Sequence, residues 1–89
     1  MTPEQLLTIL REDTVEVTFT KKNGEERTMI CTLNEQYLPE TDSVQEAKPF
    51  TGLLTVWDLE SDGWRSFHYD KIIEVEYDES GSVRREKLQ

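Results

Sequence analysis

The chain has 89 residues, a mass of 10.5 kDa, 35% hydrophobic and 33% charged side chains, and a net charge of −9 from 19 acidic and 10 basic residues. Folding would shrink its accessible surface from roughly 15,000 to roughly 5,400 Å², enough burial for one small domain and not for two. The acidic balance gives no field to condense on a phosphate backbone and no attraction to an anionic bilayer, so direct nucleic-acid binding and membrane attachment are both disfavoured.

Cys31 is the sole cysteine, so no intrachain disulfide can form, and a small domain of this kind must rely on a tight core or on self-association. Residues 1–11 carry Glu4 and Arg11 and no long apolar run, unlike a signal peptide. No stretch reaches the ~18 apolar residues of a membrane span, and the expectation is a cytosolic protein without a membrane anchor.

A short helix is predicted over residues 2–11. Thr2 suits the N-cap, Pro3 the first helical position, and Gln5 completes a capping box, while Leu6, Leu7, Ile9 and Leu10 supply one apolar face. Such a helix is too short to stand alone and must pack on something. Residues 14–21 alternate Val15, Val17 and Phe19 with Glu16, Thr18 and Thr20, which is the pattern of a half-buried strand. A second strand is predicted over 26–33, with Asn23-Gly24 between them as a hairpin turn.

Two registers fit that hairpin. A two-residue loop sets Val17 opposite Ile30. A three-residue loop with left-handed Gly24 sets Val15 opposite Cys31 and Val17 opposite Met29. The second joins the apolar rows Val15/Val17/Phe19 and Met29/Cys31/Leu33, and register follows the buried face, so it is preferred.

Residues 34–52 contain Pro39, Pro49 and Gly52 and read as a long loop, with Tyr37, Leu38 and Phe50 as expected anchors. A third strand is predicted over 53–59 and a fourth over 64–69, joined by a turn at residues 60–63. Closing that turn pairs Asp58 with Arg65 and Val56 with Phe67. A fifth strand, over 72–77, carries Ile73, Val75 and Tyr77 on one side. Residues 78–89, with three acidic and three basic side chains and little apolar content beyond Val83 and Leu88, are expected to be a flexible tail after a single domain spanning 1–77.

One helix followed by five short antiparallel strands, with a very short corner before the last, is mainly β. A sheet with so little helix to cover it limits its open edges by closing into a small barrel. The expected architecture is an SH3-like, Sm-like five-stranded antiparallel barrel with one short N-terminal helix.

The segments VEVTFTKKNGEERTMICTL and LLTVWDLESDGWRSFHYDKIIEVEYD, with the opening helix, resemble a family of small proteins from tailed bacteriophages and cyanophages. That family has an Sm-like, SH3-type barrel distantly related to the WYL domain and is largely of unknown function. The resemblance implies a phage origin, the host cell cytoplasm as location, and an SH3-like fold. WYL domains in bacterial regulators sense nucleotide or nucleic-acid ligands, and WRSFHYDKI is similar to their Arg-bearing strand. In this chain Arg65 and Lys71 are the only cations between residues 53 and 77.

Few residues suggest chemistry. Cys31 lies on the expected core row and reads as a buried structural thiol, since a reactive cysteine needs an electropositive, accessible setting. His68 is the only histidine and no Cys/His cluster exists, so no zinc site is expected. Asp58 and Asp62 read as turn residues, with Asp58 and Arg65 as a structural pair. No phosphate-cradling glycine loop or hydrolase elbow is present. The chain is expected not to be an enzyme and to use no cofactor.

The aromatic residues say more. Trp57, Leu59 and Trp64, with Ser66 and His68, fall on the face opposite the expected core row and form the candidate interaction patch, because Trp dominates interface anchors. In a strongly bent barrel the same side chains could instead be core. The expected function is a small acidic phage-encoded protein-interaction module acting on a host or phage protein. One alternative is a WYL-like or Sm-like nucleotide- or nucleic-acid-sensing module. Another is an acidic nucleic-acid mimic that blocks a basic groove. A mimic needs its acids in one stripe, whereas an interaction module leaves an aromatic patch free of charge. A homodimer with Trp57 or Trp64 near its centre is also expected, because the core is small and strand edges remain open.

Overall fold

The computed structural model describes residues 1–38 and 52–88. Helix α1 (Pro3–Glu12) precedes β1 (Val15–Thr20), β2 (Glu26–Thr32), β3 (Leu53–Asp58), β4 (Gly63–His68), a single 3₁₀ turn (Tyr69–Lys71), β5 (Ile72–Glu79) and β6 (Ser82–Lys87). All six strands join one antiparallel sheet in the order β4-β3-β2-β1-β5-β6. The architecture is mainly β with one short N-terminal helix, as expected, and has one strand more.

The capping box closes the start of α1: the Gln5 amide donates to the Thr2 hydroxyl at 3.2 Å and the Thr2 amide donates back to the Gln5 side chain at 2.8 Å. Leu6 and Leu10 are buried from one face of the helix, with Leu7 and Ile9 half-buried beside them. The far end of the helix is tied to β2. The Thr32 hydroxyl, fully buried, lies 3.0 Å from the Leu10 carbonyl and 2.9 Å from the Asp13 carbonyl, and the Leu33 amide donates to Leu10 at 2.9 Å. These bonds use carbonyls that a helix C-terminus leaves without an internal partner.

The β1–β2 hairpin adopts the register that pairs the apolar rows, Val15 with Cys31 and Val17 with Met29. Lys22, Asn23 and Gly24 make its loop, with Gly24 at φ 89°. An L-residue rarely adopts that angle, so glycine is the residue the bulged turn requires.

The β3–β4 hairpin is shifted by two residues from the expected pairing. Trp57 faces Trp64, Val56 faces Arg65, Leu54 faces Phe67, and Asp58 faces Gly63. The turn therefore occupies residues 59–62 and not 60–63. Asp58 causes the shift: its carboxylate accepts the amides of Glu60 at 2.9 Å and Ser61 at 3.3 Å, and Asp62 takes a positive φ of 50°. A two-residue slip keeps every side chain on its face, so the inward and outward sets are as expected.

β5 differs in detail. A bulge opposite Thr18 and Phe19 brings Ile72, not Ile73, fully into the core beside Val75 and Tyr77. The expected flexible tail is also corrected. Ser80 and Gly81, at φ 52° and 82°, form a two-residue turn, and β6 pairs with β5 over its whole length. Charge, not hydrophobicity, alternates there: Lys87 faces Glu74 and Arg85 faces Glu76. Leu88 packs against the core and donates its amide to Ile73 at 2.8 Å.

The sheet curls strongly. In the strand order, β4 and β5 are separated by four spacings of ~4.8 Å, about 19 Å if flat. The stretch from His68 to Ile72 spans at most ~14 Å even when fully extended. The rings of Phe19 on β1 and Phe67 on β4 stack at 4.8 Å with an interplanar angle of 13°, across the interior of the curl. That interior holds Leu6, Leu10, Val15, Val17, Met29, Cys31, Leu54, Val56, Phe67, Ile72, Val75 and Tyr77. At the start of the long connection Tyr37 is exposed and does not serve as an anchor. Leu38 beside it is half-buried, and residues 39–51 of the expected loop, including Phe50, lie outside the described residues.

Docking of β6 through Leu88 makes a testable difference between two C-terminal apolar residues. Leu88→Ala is expected to cost about 1–2 kcal/mol, less than a fully buried leucine, because Leu88 is only half-buried. Val83, 68% exposed, should tolerate alanine within about 0.5 kcal/mol. Urea unfolding of both variants reads the difference, and equal midpoints would mean that β6 is not docked.

Candidate interaction face

The outward side of β2, β3 and β4 collects the residues singled out from the sequence. Trp57 and Trp64 are direct cross-strand neighbours, with ring centroids 5.3 Å apart and planes at 80°. This edge-to-face geometry sets the positive rim of one ring on the negative face of the other. Both are half-buried. Leu59, half-buried just past β3, donates its amide to the Ile30 carbonyl at 3.1 Å, which sets the two residues side by side. Ser66 is exposed and shares a 3.0 Å hydrogen bond with Thr55 across the strands. His68 is exposed and faces Leu53.

Ile30, 39% exposed, and Leu53, 45% exposed, extend the strip and were not among the candidates. Ile30 alternates with the core residues Met29 and Cys31, so its outward position was readable from the preferred hairpin register. The strip contains no acidic side chain on β3 or β4, because Asp58, the single acid within those strands, points inward.

Asp58 is the electrostatic centre of the inward side. It is fully buried, 3.4 Å from the Arg27 guanidinium and 3.5 Å from Nε of Arg65. Asp58 and Arg65 are thus in contact, diagonally and not face to face. Arg27 was not anticipated, although it sits in the same alternating row as Met29 and Cys31, where a cation calls for a buried acid. Burial by itself would push the Asp58 carboxyl up. The amides of Ser61 and Glu60, the Ser61 hydroxyl and the Arg27 charge outweigh burial and hold it below the usual carboxylate value. Among the described residues every buried side-chain nitrogen and oxygen has a hydrogen-bond partner.

Cys31 lies beside this carboxylate. Its thiol is fully buried, 3.7 Å from the Val15 carbonyl, and is pushed up to about 12 by burial and by the Asp58 charge. It has the opposite of a nucleophile's surroundings. Among the described residues no cluster of three or more His, Cys, Asp or Glu side chains is arranged to hold a metal. No helix among them is long and apolar enough to cross a membrane.

The outward side of β1, β5 and β6 is charged. Glu16 faces Glu76 across β1 and β5, Glu74 lies next along the strand, and Thr18 completes a shallow polar depression of about 230 Å³. Arg85 from β6 closes it, 3.3 Å from Glu74 and 3.6 Å from Glu76. The outward face thus has an apolar half and a charged half, divided along β1 and β2.

A curled antiparallel sheet capped by one helix, with short hairpins and a 3₁₀ corner before the fifth strand, defines a small Sm-like barrel. Residues 3–73 match the family model WYL_2, described as an Sm-like SH3 β-barrel fold, and the chain belongs to that family. It is also 36% identical over 76 residues to an "uncharacterized 11.5 kDa protein in Gp31-cd intergenic region" of Enterobacteria phage T4, covering 81% of this chain and 74% of that one. That relative supports a phage origin. No solved structure matches the chain.

Asp58→Asn is expected to destabilise the fold by about 1–3 kcal/mol at neutral pH, by removing the charge on which two guanidiniums and two amides converge. Folding lowers this carboxyl from its ordinary value of 3.8. Its contribution is therefore complete above that value and is lost as pH falls through the lower folded value. The gap between wild type and variant in urea midpoint should be widest near neutrality and close in strong acid. A gap that persists in acid would show that the charge is not what Asp58 supplies. A second expectation concerns Cys31: it should not react with a thiol reagent in the folded protein at mildly alkaline pH, and should react at once in denaturant.

Proposed function

We propose that the protein is a non-enzymatic interaction module that binds a host or phage protein in the host cytoplasm through the outward face of β2, β3 and β4. The observation that carries this reading is the Trp57/Trp64 pair, half-buried on a strip with no acidic side chain on β3 or β4 in a protein of net charge −9. Large aromatic side chains ringed by uncharged neighbours are what an interface core uses, with charge kept to its rim. Ile30, Leu53 and Leu59 enlarge the apolar area, while Thr55 and Ser66 add hydroxyls that can pair with a partner's backbone. Cys31, buried with its thiol pushed up to about 12, is not set up as a nucleophile, which fits a role by occupancy.

The nucleic-acid mimic has one observation in its favour, the outward Glu16, Glu74 and Glu76. Arg85 sits between two of these acids, which makes the stripe less negative than a phosphate backbone. The sensing module needs cations free to take an anion, and Arg27 and Arg65, though 39% and 48% exposed, are already paired with Asp58.

Affinity capture from host lysate at low and high salt, with the wild type and with folded Trp57→Ala and Trp64→Ala variants, separates these readings. A partner retained at high salt and weakened about 30-fold or more by either substitution is the expected result. A partner lost at high salt and indifferent to both substitutions would replace the interaction face with the mimic.

A further inference from the structure

β6 differs from the rest of the sheet. It lies beyond residues 3–73, the part that matches the family model, and it pairs with β5 alone. Every side chain from Ser82 to Lys87 is exposed except Glu86, which is half-buried. Its hold on the molecule is the β5 ladder, the Arg85 ion pairs with Glu74 and Glu76, a 3.7 Å ion pair between Glu86 and the Met1 amino group, a 3.4 Å contact between Glu86 and the Tyr77 hydroxyl, and Leu88 on the core. Strands with few buried apolar contacts open at low cost.

The match between the two strands is one of charge. β5 carries Glu74, Glu76, Asp78 and Glu79, whereas β6 carries Arg84, Arg85 and Lys87 against Glu86. In an acidic protein, β6 is a basic strand laid on an acidic edge. The turn that returns it is tight: Ser80 and Gly81 both take positive φ, 52° and 82°. Such a turn suits Asn-Gly, and a serine at its first position is strained where a glycine or asparagine is not. Opening the turn into an extended hinge would relieve that strain, and a second copy presents the same acidic edge with the same partners for β6.

We propose that β5 is a strand-acceptor edge whose partner in trans is the β6 strand of a second copy, giving a two-fold dimer in which Ser80 and Gly81 are the hinge. Every β5–β6 contact is kept in the exchange. The basic strand also carries the approach of one acidic body to another. Because exchange trades one turn for loss of independent motion, the dimer forms with rising protein concentration. This interface is distinct from the Trp57/Trp64 face and leaves that face open.

The test combines hinge variants with a cross-link. Sedimentation equilibrium over a wide concentration range, on the full chain refolded from denaturant, should show a monomer–dimer equilibrium. Ser80→Gly, which relaxes the closed turn, should lower the dimer fraction about fivefold, and Ser80→Pro, which cannot take a positive φ, should raise it about as much. Glu76→Cys and Arg85→Cys chains, unfolded and refolded together, should oxidise to a covalent heterodimer well in excess of either homodimer, since those positions face each other across β5 and β6. Buried Cys31 does not compete. Far-ultraviolet circular dichroism establishes that each variant is folded. A folded Ser80→Pro protein that stays monomeric would overturn the proposal. So would a dimer unchanged by both Ser80 variants but lost in Trp57→Ala, which would assign association to the aromatic face.

Discussion

The chain between His68 and Ile72 is too short to cross a flat sheet, and three strands lie between the two elements it joins. The sheet must therefore roll until β4 returns over β1, where Phe67 stacks on Phe19. Rolling creates an inside and an outside, and the division of labour in the molecule follows. Inward positions of β1 to β5 alternate with outward ones at the strand period of two, so a residue's parity decides whether it is core or surface. α1 closes the inside with Leu6 and Leu10 and is held there by Thr32, whose hydroxyl reaches the last helical turn and the chain beyond it. A helix of this length has little stability of its own, and β2 supplies the partners that its C-terminal carbonyls need.

A charge placed inward is the exception that this geometry must accommodate. Asp58 ends β3, where the roll brings β2 and β4 close enough for Arg27 and Arg65 to reach it from either side. Turn amides occupy its other oxygen. One residue thus fixes the hairpin register, closes the 59–62 turn and joins three strands. A hydrophobic residue of similar size would pack as well but would not select that register, because it makes no demand on the turn. Burial raises the thiol of Cys31 and the neighbouring Asp58 charge adds to it, so the electrostatics that order the hairpin also help to quiet the one cysteine.

Most of the inside was legible in the sequence because hydrophobic parity is a local signal. The capping box marked the start of α1, and joining the two apolar rows selected the β1–β2 register over its rival. The β3–β4 register was misread by two residues, since the apolar pattern is blind to a shift that preserves parity and only the Asp58 turn distinguishes the two. The bulge that exchanges Ile72 for Ile73 left no mark in a run of adjacent isoleucines. β6 escaped notice because its alternation is Arg and Lys against Glu on a neighbouring strand, a pattern that appears only once the strands are paired. The candidate face was legible for the same reason as the core: Trp57, Leu59 and Trp64 share the parity opposite to Leu54, Val56 and Phe67. Arg27 was visible as a cation on an apolar row, and its meaning depends on Asp58, which is 31 residues distant in sequence.

The surplus of negative charge is distributed with consequences for both halves of the outward face. Glu16 and Glu76 face each other directly, an arrangement that destabilises a sheet unless a cation intervenes. β6 supplies that cation in Arg85, which spans Glu74 and Glu76, and Lys87 lies opposite Glu74. The added strand thus covers an edge and offsets like-charge repulsion on the strand it covers. Because the charged half is compensated from within, it does not need the β3–β4 half to contribute cations, and that half is free to be apolar. The net charge of −9 opposes coalescence of separate molecules through the exposed Ile30 and Leu53, a repulsion that a neutral protein with the same strip would lack. An acidic body and an aromatic face are therefore not competing descriptions of this protein: the first is the condition under which the second can remain at its surface.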